Sequence, residues 1–143
     1  MNTLDELLGS EESHATFHDA RFVDVAYDPV ARTAALTAHL CVGDPDAASS
    51  AARERRRVGV LELRGVAHWR DDHGELQAPP AGVWLAADGP LAEAPGEVAR
   101  ELARELQMGE VGWYFFFADS NSFIYWVAQE ASFRWLPNGS PAA

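Results

Sequence analysis

Residues 112–117 and 122–128 are aromatic or β-branched at nearly every position, and Ala118-Asp119-Ser120-Asn121 joins the two runs. In extended chain, Trp113, Phe115 and Phe117 fall on one face and Tyr114 and Phe116 on the other. The pattern predicts a β-hairpin, and neither of its faces can be left in water. A fold for this chain must therefore cover the hairpin on both sides.

One cover is encoded just upstream. Residues 95–107 predict the main helix, with Pro95 suited to its first turn and Gly109 to its stop. Val98, Leu102 and Leu106, flanked by Ala99 and Ala103, form a narrow apolar stripe; Glu97, Arg100, Glu101, Arg104 and Glu105 take the opposite side. The second cover is either a curled sheet or another subunit.

The N-terminal half alternates with a period of two. Residues 22–27 read as a strand stopped by Asp28-Pro29. Residues 33–42 follow, with Ala34, Leu36, Ala38, Leu40 and Val42 on one face, and the two form a hairpin. The stretch 43–50 is rich in turn residues and reads as an exposed loop. A longer strand spans 58–69, where Val58 and Val60 share one phase and Leu61 and Leu63 the other. That shift requires a bulge at 59–61 or burial on both faces. Asp71-Asp72-His73-Gly74 reads as a turn, Pro79-Pro80 as a break, and residues 133–136 as one further strand. These elements predict an α+β fold: a mostly antiparallel sheet of about six strands with one main helix packed on it. At 143 residues the chain forms a single domain, 1–143, with residues 1–15 as an N-terminal arm and 137–143 as a frayed tail.

Charge narrows the function classes. Twenty-two acidic residues against eleven basic ones give a formal charge of −11. Such a chain repels phosphate backbones, which argues against nucleic acid as a partner and for a basic protein. All eleven basic residues are arginine, so chemistry that needs a lysine is excluded. Arg53, Arg55, Arg56 and Arg57 form a local run that reads as a solvated strand start beside acidic neighbours. Cys41 is the single cysteine and reads as a small buried hydrophobe; no intrachain disulfide can form. Residues 1–10 lack the features of a signal peptide, and no apolar run approaches the length of a membrane span. A cytoplasmic bacterial protein is expected, the alanine and arginine usage reflecting a GC-rich genome.

Two polar clusters could carry chemistry. His14 and His18 with Asp19 would share one face of a helix at metal-ligand spacing, although the spacer Ala15-Thr16-Phe17 favours extended chain. In that extended reading His18 and Asp19 cap the entry to the first strand. His68, Asp71 and His73 surround a tight turn and form a second polar group. The sequence contains no nucleophile elbow, phosphate loop or paired-cysteine motif, so binding is expected rather than catalysis, with no cofactor. The alternatives are a metal-binding domain or metal-dependent hydrolase using His14, His18 and Asp19, and a homodimeric module joined through the aromatic strands of 112–136. Trp84, Trp113 and Trp126 are expected to fill the core.

Phe17-His18-Asp19-Ala20, followed by two strands, resembles the opening of a group of small bacterial proteins, some similar to immunity proteins of polymorphic toxin systems. In those proteins a later L-x-L-x-G-V strand matches Leu61-Glu62-Leu63-Arg64-Gly65-Val66, so the resemblance spans residues 17–69. It implies a stoichiometric inhibitor that binds a partner toxin.

Overall fold

The structure, a computed structural model, describes residues 1–71 and 83–137. Six strands carry the fold: β1 (Thr16–Asp28), β2 (Thr33–Cys41), β3 (Arg56–Asp71), β4 (Val83–Pro90), β5 (Val111–Phe117) and β6 (Ser122–Trp135). They pair antiparallel in the order β1-β2-β3-β6-β5-β4, and β4 returns to β1, so the sheet closes into a barrel. Helices α1 (Ser50–Arg53) and α2 (Glu97–Arg104) are short, as are 3-10 turns at Leu4–Leu7 and Leu91–Glu93.

The expected α+β sheet with a main helix is thus corrected to a closed β-barrel. Strand length is the physical reason. β1, β3 and β6 run 13, 16 and 14 residues, too long to stay flat under the right-handed twist of a sheet. Bulges bend them further. Asp19 takes a left-handed backbone conformation (φ 59°), and the register with β2 slips between Thr16 and Arg21 and again between Phe22 and Asp24. In β3 the slip lies between Val66 and His68, just after Gly65 (φ 63°), not at 59–61 as the alternation suggested. At 59–61 the strand is instead buried on both faces, with Val60 outside and Leu61 inside. The predicted strand at 133–136 is the end of the continuous β6.

The barrel interior is packed with side chains. Phe22, Leu36, Leu61, Leu63, Phe115, Phe117 and Trp126 are all fully buried in it, with Phe22 against Phe115 at 5.5 Å between ring centres. Gly59 makes room for this core, since a Cβ there would lie 2.1 Å from Cζ of Phe133. The N-terminal arm closes the end where β1 and β3 begin. Leu4 and Leu8 join the interior cluster, and Trp135 Nε1 donates to the Leu8 carbonyl. Near the β1–β2 turn, Tyr27 stacks on Trp69 at 5.1 Å.

The last hairpin receives cover on both faces, as its sequence requires. Trp113, Phe115 and Phe117 point into the barrel. Outside, Tyr125 and Val127 of β6 pack with Leu91, Ala94 and Ala99, and Tyr114, Val98, Leu102 and Leu106 complete the cluster. The helix that does this is shorter than expected, eight residues within the predicted 95–107, and it lies on the outer wall of a barrel.

Candidate functional site

The two histidines expected to share a helical face do not. β1 begins at Thr16, between them, and extended backbone separates their side chains. His14 faces Asp44 at 3.9 Å, while His18 is 83% exposed and lies 3.4 Å from its neighbour Asp19. The cap expected from His18 and Asp19 is supplied instead by Asp5, which accepts from Phe17 N at 2.8 Å and Thr16 Oγ1 at 3.0 Å. His68 is exposed in the middle of β3 and pairs across to Val127; Asp71 ends the same strand opposite Ile124. His73, Asp72 and the Pro79-Pro80 break lie outside the described residues. Among the described residues, no three His, Cys, Asp or Glu side chains come together as a metal-binding group.

A different constellation forms where the N-terminal arm meets the barrel end. A cleft of about 230 Å³ is lined by Asp5, His18, Asp88, Glu93 and Trp113, among others. Asp5 comes from the 3-10 turn, whose backbone is pinned by Glu6 Oε2 accepting from Asn2 N and Thr3 N at 2.6 and 2.7 Å. Those two bonds hold the Glu6 carboxyl below the usual carboxylate range, the bond from Thr3 contributing most. Asp88 sits near the end of β4 and accepts from Trp113 Nε1 at 2.9 Å. Because that indole is itself buried, the carboxylate is fixed in place.

Electrostatics distinguish this cleft. Burial pushes the Asp88 carboxyl up from its ordinary value; the Trp113 hydrogen bond opposes the rise, and the negative charge of Asp5 adds to it. The Tyr114 hydroxyl is pushed up as well, first by burial and then by Asp88 and Glu93. In both groups burial leads and neighbouring carboxylates add to it. Among the described residues, no arginine lines the cleft.

Elsewhere several carboxylates have arginine partners. Arg55 bonds Glu12 at 2.8 Å, Arg57 bonds Glu11 and Glu12, Arg64 and Arg134 bond Glu62, and Arg100 and Arg104 bond Glu97. Of the basic run, Arg55 and Arg57 meet the acidic neighbours expected, whereas Arg53 donates to the carbonyls of Ala47 and Ala48 and Arg56 to that of Asp19, and Arg57 is nearly buried instead of solvated. A larger groove of about 410 Å³ runs along the outside of β1, β2 and β3, lined by Ala26, Tyr27, Thr33, Ala35, Glu62 and Arg64 among others. Its Glu62 is met by two arginines, while Asp28, also in the lining, accepts from the backbone N–H groups of Val30 and Ala31. Two further expectations are corrected. Cys41 stands in the outward phase of β2 and is only half buried, its Sγ 3.9 Å from the Arg53 carbonyl. Trp84 lies outside the core, half-exposed, under the guanidinium of Arg21 at 4.1 Å.

No protein-family description, curated protein or solved structure matches the chain. No helix among the described residues is long and apolar enough to cross a membrane.

Proposed function

We propose that the protein is a binding module that takes a basic protein partner at the acidic cleft, as a stoichiometric binder of the kind the FHDA-type resemblance implies. The observation that carries this reading is the cleft itself, which brings the carboxylates of Asp5, Asp88 and Glu93 into one lining; burial and then the charge of Asp5 raise the Asp88 carboxyl there. A half-buried carboxylate held near like charge is destabilised, and a guanidinium or ammonium entering the cleft relieves it. The formal charge of −11 extends the attraction outward and speeds encounter with a cationic surface. The packed interior leaves the outer surface to do the binding. Action in the bacterial cytoplasm, where a lone cysteine stays reduced, belongs to the same proposal.

An arginine-rich peptide titrated by calorimetry tests the reading. Saturable binding is expected, weakening steeply as salt rises from 50 to roughly 300 mM because exposed charges are screened over about a Debye length. The double substitution Asp88→Asn with Glu93→Gln should weaken it roughly tenfold, the order of one buried charge contact. Equal binding by the double variant would remove the cleft from the mechanism.

A further inference from the structure

The wall of the barrel is unpaired at one place. Among the described residues, β1 and β4 pair only at Arg21 with Trp84 and Phe22 with Val83. Toward the start of β1 and the end of β4 the pairing stops, and the acidic cleft lies in the opening. Thr16, Phe17 and His18 form one bank of it and Asp88, Gly89 and Pro90 the other. The local cause is Asp19, whose left-handed backbone (φ 59°) breaks the line of β1 between Thr16 and Arg21. Two consecutive amides before it serve side chains: Phe17 N donates to Asp5 Oδ1 at 2.8 Å, and His18 N to Thr16 Oγ1 at 3.0 Å.

Along the same stretch β4 keeps a strand partner on its other side. Asp88, Gly89 and Pro90 stand opposite Phe115, Tyr114 and Trp113 of β5 in unbroken register. In an antiparallel ladder, successive residues direct their N–H and C=O to opposite neighbours. Proline within a strand belongs at an edge, its nitrogen toward the unpaired side. Pro90 thus marks the cleft as that side, and Asp88, which shares its phase, sends its N–H and C=O the same way. The floor beneath is closed and apolar, since Leu4, Phe17 and Trp113 are each at most 2% exposed. Carboxylates stand around it: Asp5 from the arm, Asp88 on the Trp113 indole, and Glu93 from the 3-10 turn after β4.

From this arrangement we infer that the partner enters as an extended segment, adding a short strand to the free edge of β4 at Asp88 while its basic side chains meet the carboxylates. The inference rests on the reading of the cleft as the partner's site. Size selects the shape. Three residues of extended chain are about 10 Å long and take one strand spacing of about 4.8 Å, which suits an opening of 230 Å³, whereas a helix with its side chains is about 10 Å across. Charge selects the sequence. Side chains of an extended segment alternate, so arginine or lysine at every second position turns to one face and toward the acids. Main-chain bonds to β4 supply affinity, and the alternate basic positions supply specificity. The site thereby reads backbone conformation as well as charge, and a helical peptide of equal charge is a poor ligand for it.

The test is calorimetry of the full chain, at constant ionic strength, with a short peptide of alternating valine and arginine. Two analogues of the same charge accompany it, one N-methylated at every valine amide and the other at every arginine amide. The parent peptide should bind saturably. One analogue should bind at least about tenfold more weakly and the other almost as the parent does, because pairing on one edge uses alternate amides only. The register cannot slip to evade the block, since a shift by one residue carries the arginines to the wrong face. On the protein, the Asp88 amide should gain protection from hydrogen exchange in the complex, while the Gly89 amide, turned to β5, changes little. Equal binding by both analogues, equal weakening of both, or an Asp88 amide that gains no protection would overturn strand addition and leave the cleft as a plain electrostatic site. Absence of binding by the parent peptide would overturn it together with the reading beneath it.

Discussion

Replacing Arg57 with alanine should detach the N-terminal arm from the barrel. Its side chain is 10% exposed and ties two other segments, the arm and the end of β6, to β3. Nη1 lies 3.1 Å from Glu12 and 3.2 Å from Glu11, both in the arm. Nε and Nη2 donate to the Leu136 carbonyl at 3.3 and 3.1 Å, and the guanidinium lies 5.3 Å from the Trp135 ring centre. Removing one partner of a nearly buried ion pair costs about 3–5 kcal/mol when the other charge is stranded. Glu12, 11% exposed, keeps Arg55 at 2.8 Å, so the loss should fall to about 2–3 kcal/mol. For a chain of this size that corresponds to a melting temperature lower by roughly 10 °C, and a urea midpoint lower by about 1 M.

The pH dependence supplies an independent check. The hydrogen bond from Arg55, with that from Arg57, holds the Glu12 carboxyl below its ordinary value. A depressed carboxyl stabilises the fold fully above its unfolded pKa of 4.5 and loses that contribution as pH falls through the lower folded value. The gap between parent and Arg57→Ala, measured by urea denaturation, should therefore be widest at neutral pH and shrink below about pH 4. A gap under about 0.5 kcal/mol at pH 7, the level of an ordinary surface change, would refute the pinning of the arm. So would a gap that stays constant on acidification.

Leu4→Ala should cost about 2–4 kcal/mol in chemical denaturation, because Leu4 is 1% exposed inside the barrel cluster although it belongs to the arm. Gly65→Ala should destabilise by about 1–3 kcal/mol, since a Cβ at φ 63° would also lie 2.7 Å from Gln129 Oε1; thermal melts report it. Asp88→Asn should raise stability at pH 7 while keeping an acceptor for Trp113. The parent loses stability as pH rises from the unfolded value of 3.8 through the raised folded one, so the advantage should vanish in acid, as melts across pH would show.

Local pattern made some of this architecture legible. Ala34, Leu36, Ala38, Leu40 and Val42 alternate without interruption, and all five are buried. The final hairpin declared itself through residues too bulky to expose, and α2 through its apolar stripe. Closure was not legible, because it depends on bulges whose cause is conformational. Nothing in the letters around Asp19 announces a left-handed residue that shifts β1 by its register. The same shift carries Phe17 inward and leaves His18 in solvent, which undoes the metal-ligand spacing. The acidic cleft was hidden for another reason. Asp5 and Asp88 belong to distant parts of the chain and meet only when the arm folds under the barrel. Trp84 looked like core because aromatic residues in strands usually are, yet its phase is outward and arginines cover it.

The join between β1 and β4 consists, among the described residues, of Arg21 opposite Trp84 and Phe22 opposite Val83. Every other seam is longer, so this one acts as the clasp of the hoop. Phe22 fastens it from within and the Arg21–indole contact from without. Amide protons along it should exchange with solvent sooner than those of β3 and β6. Opening of this clasp is the motion by which the hoop would first part, with β3 and β6 still paired along their length.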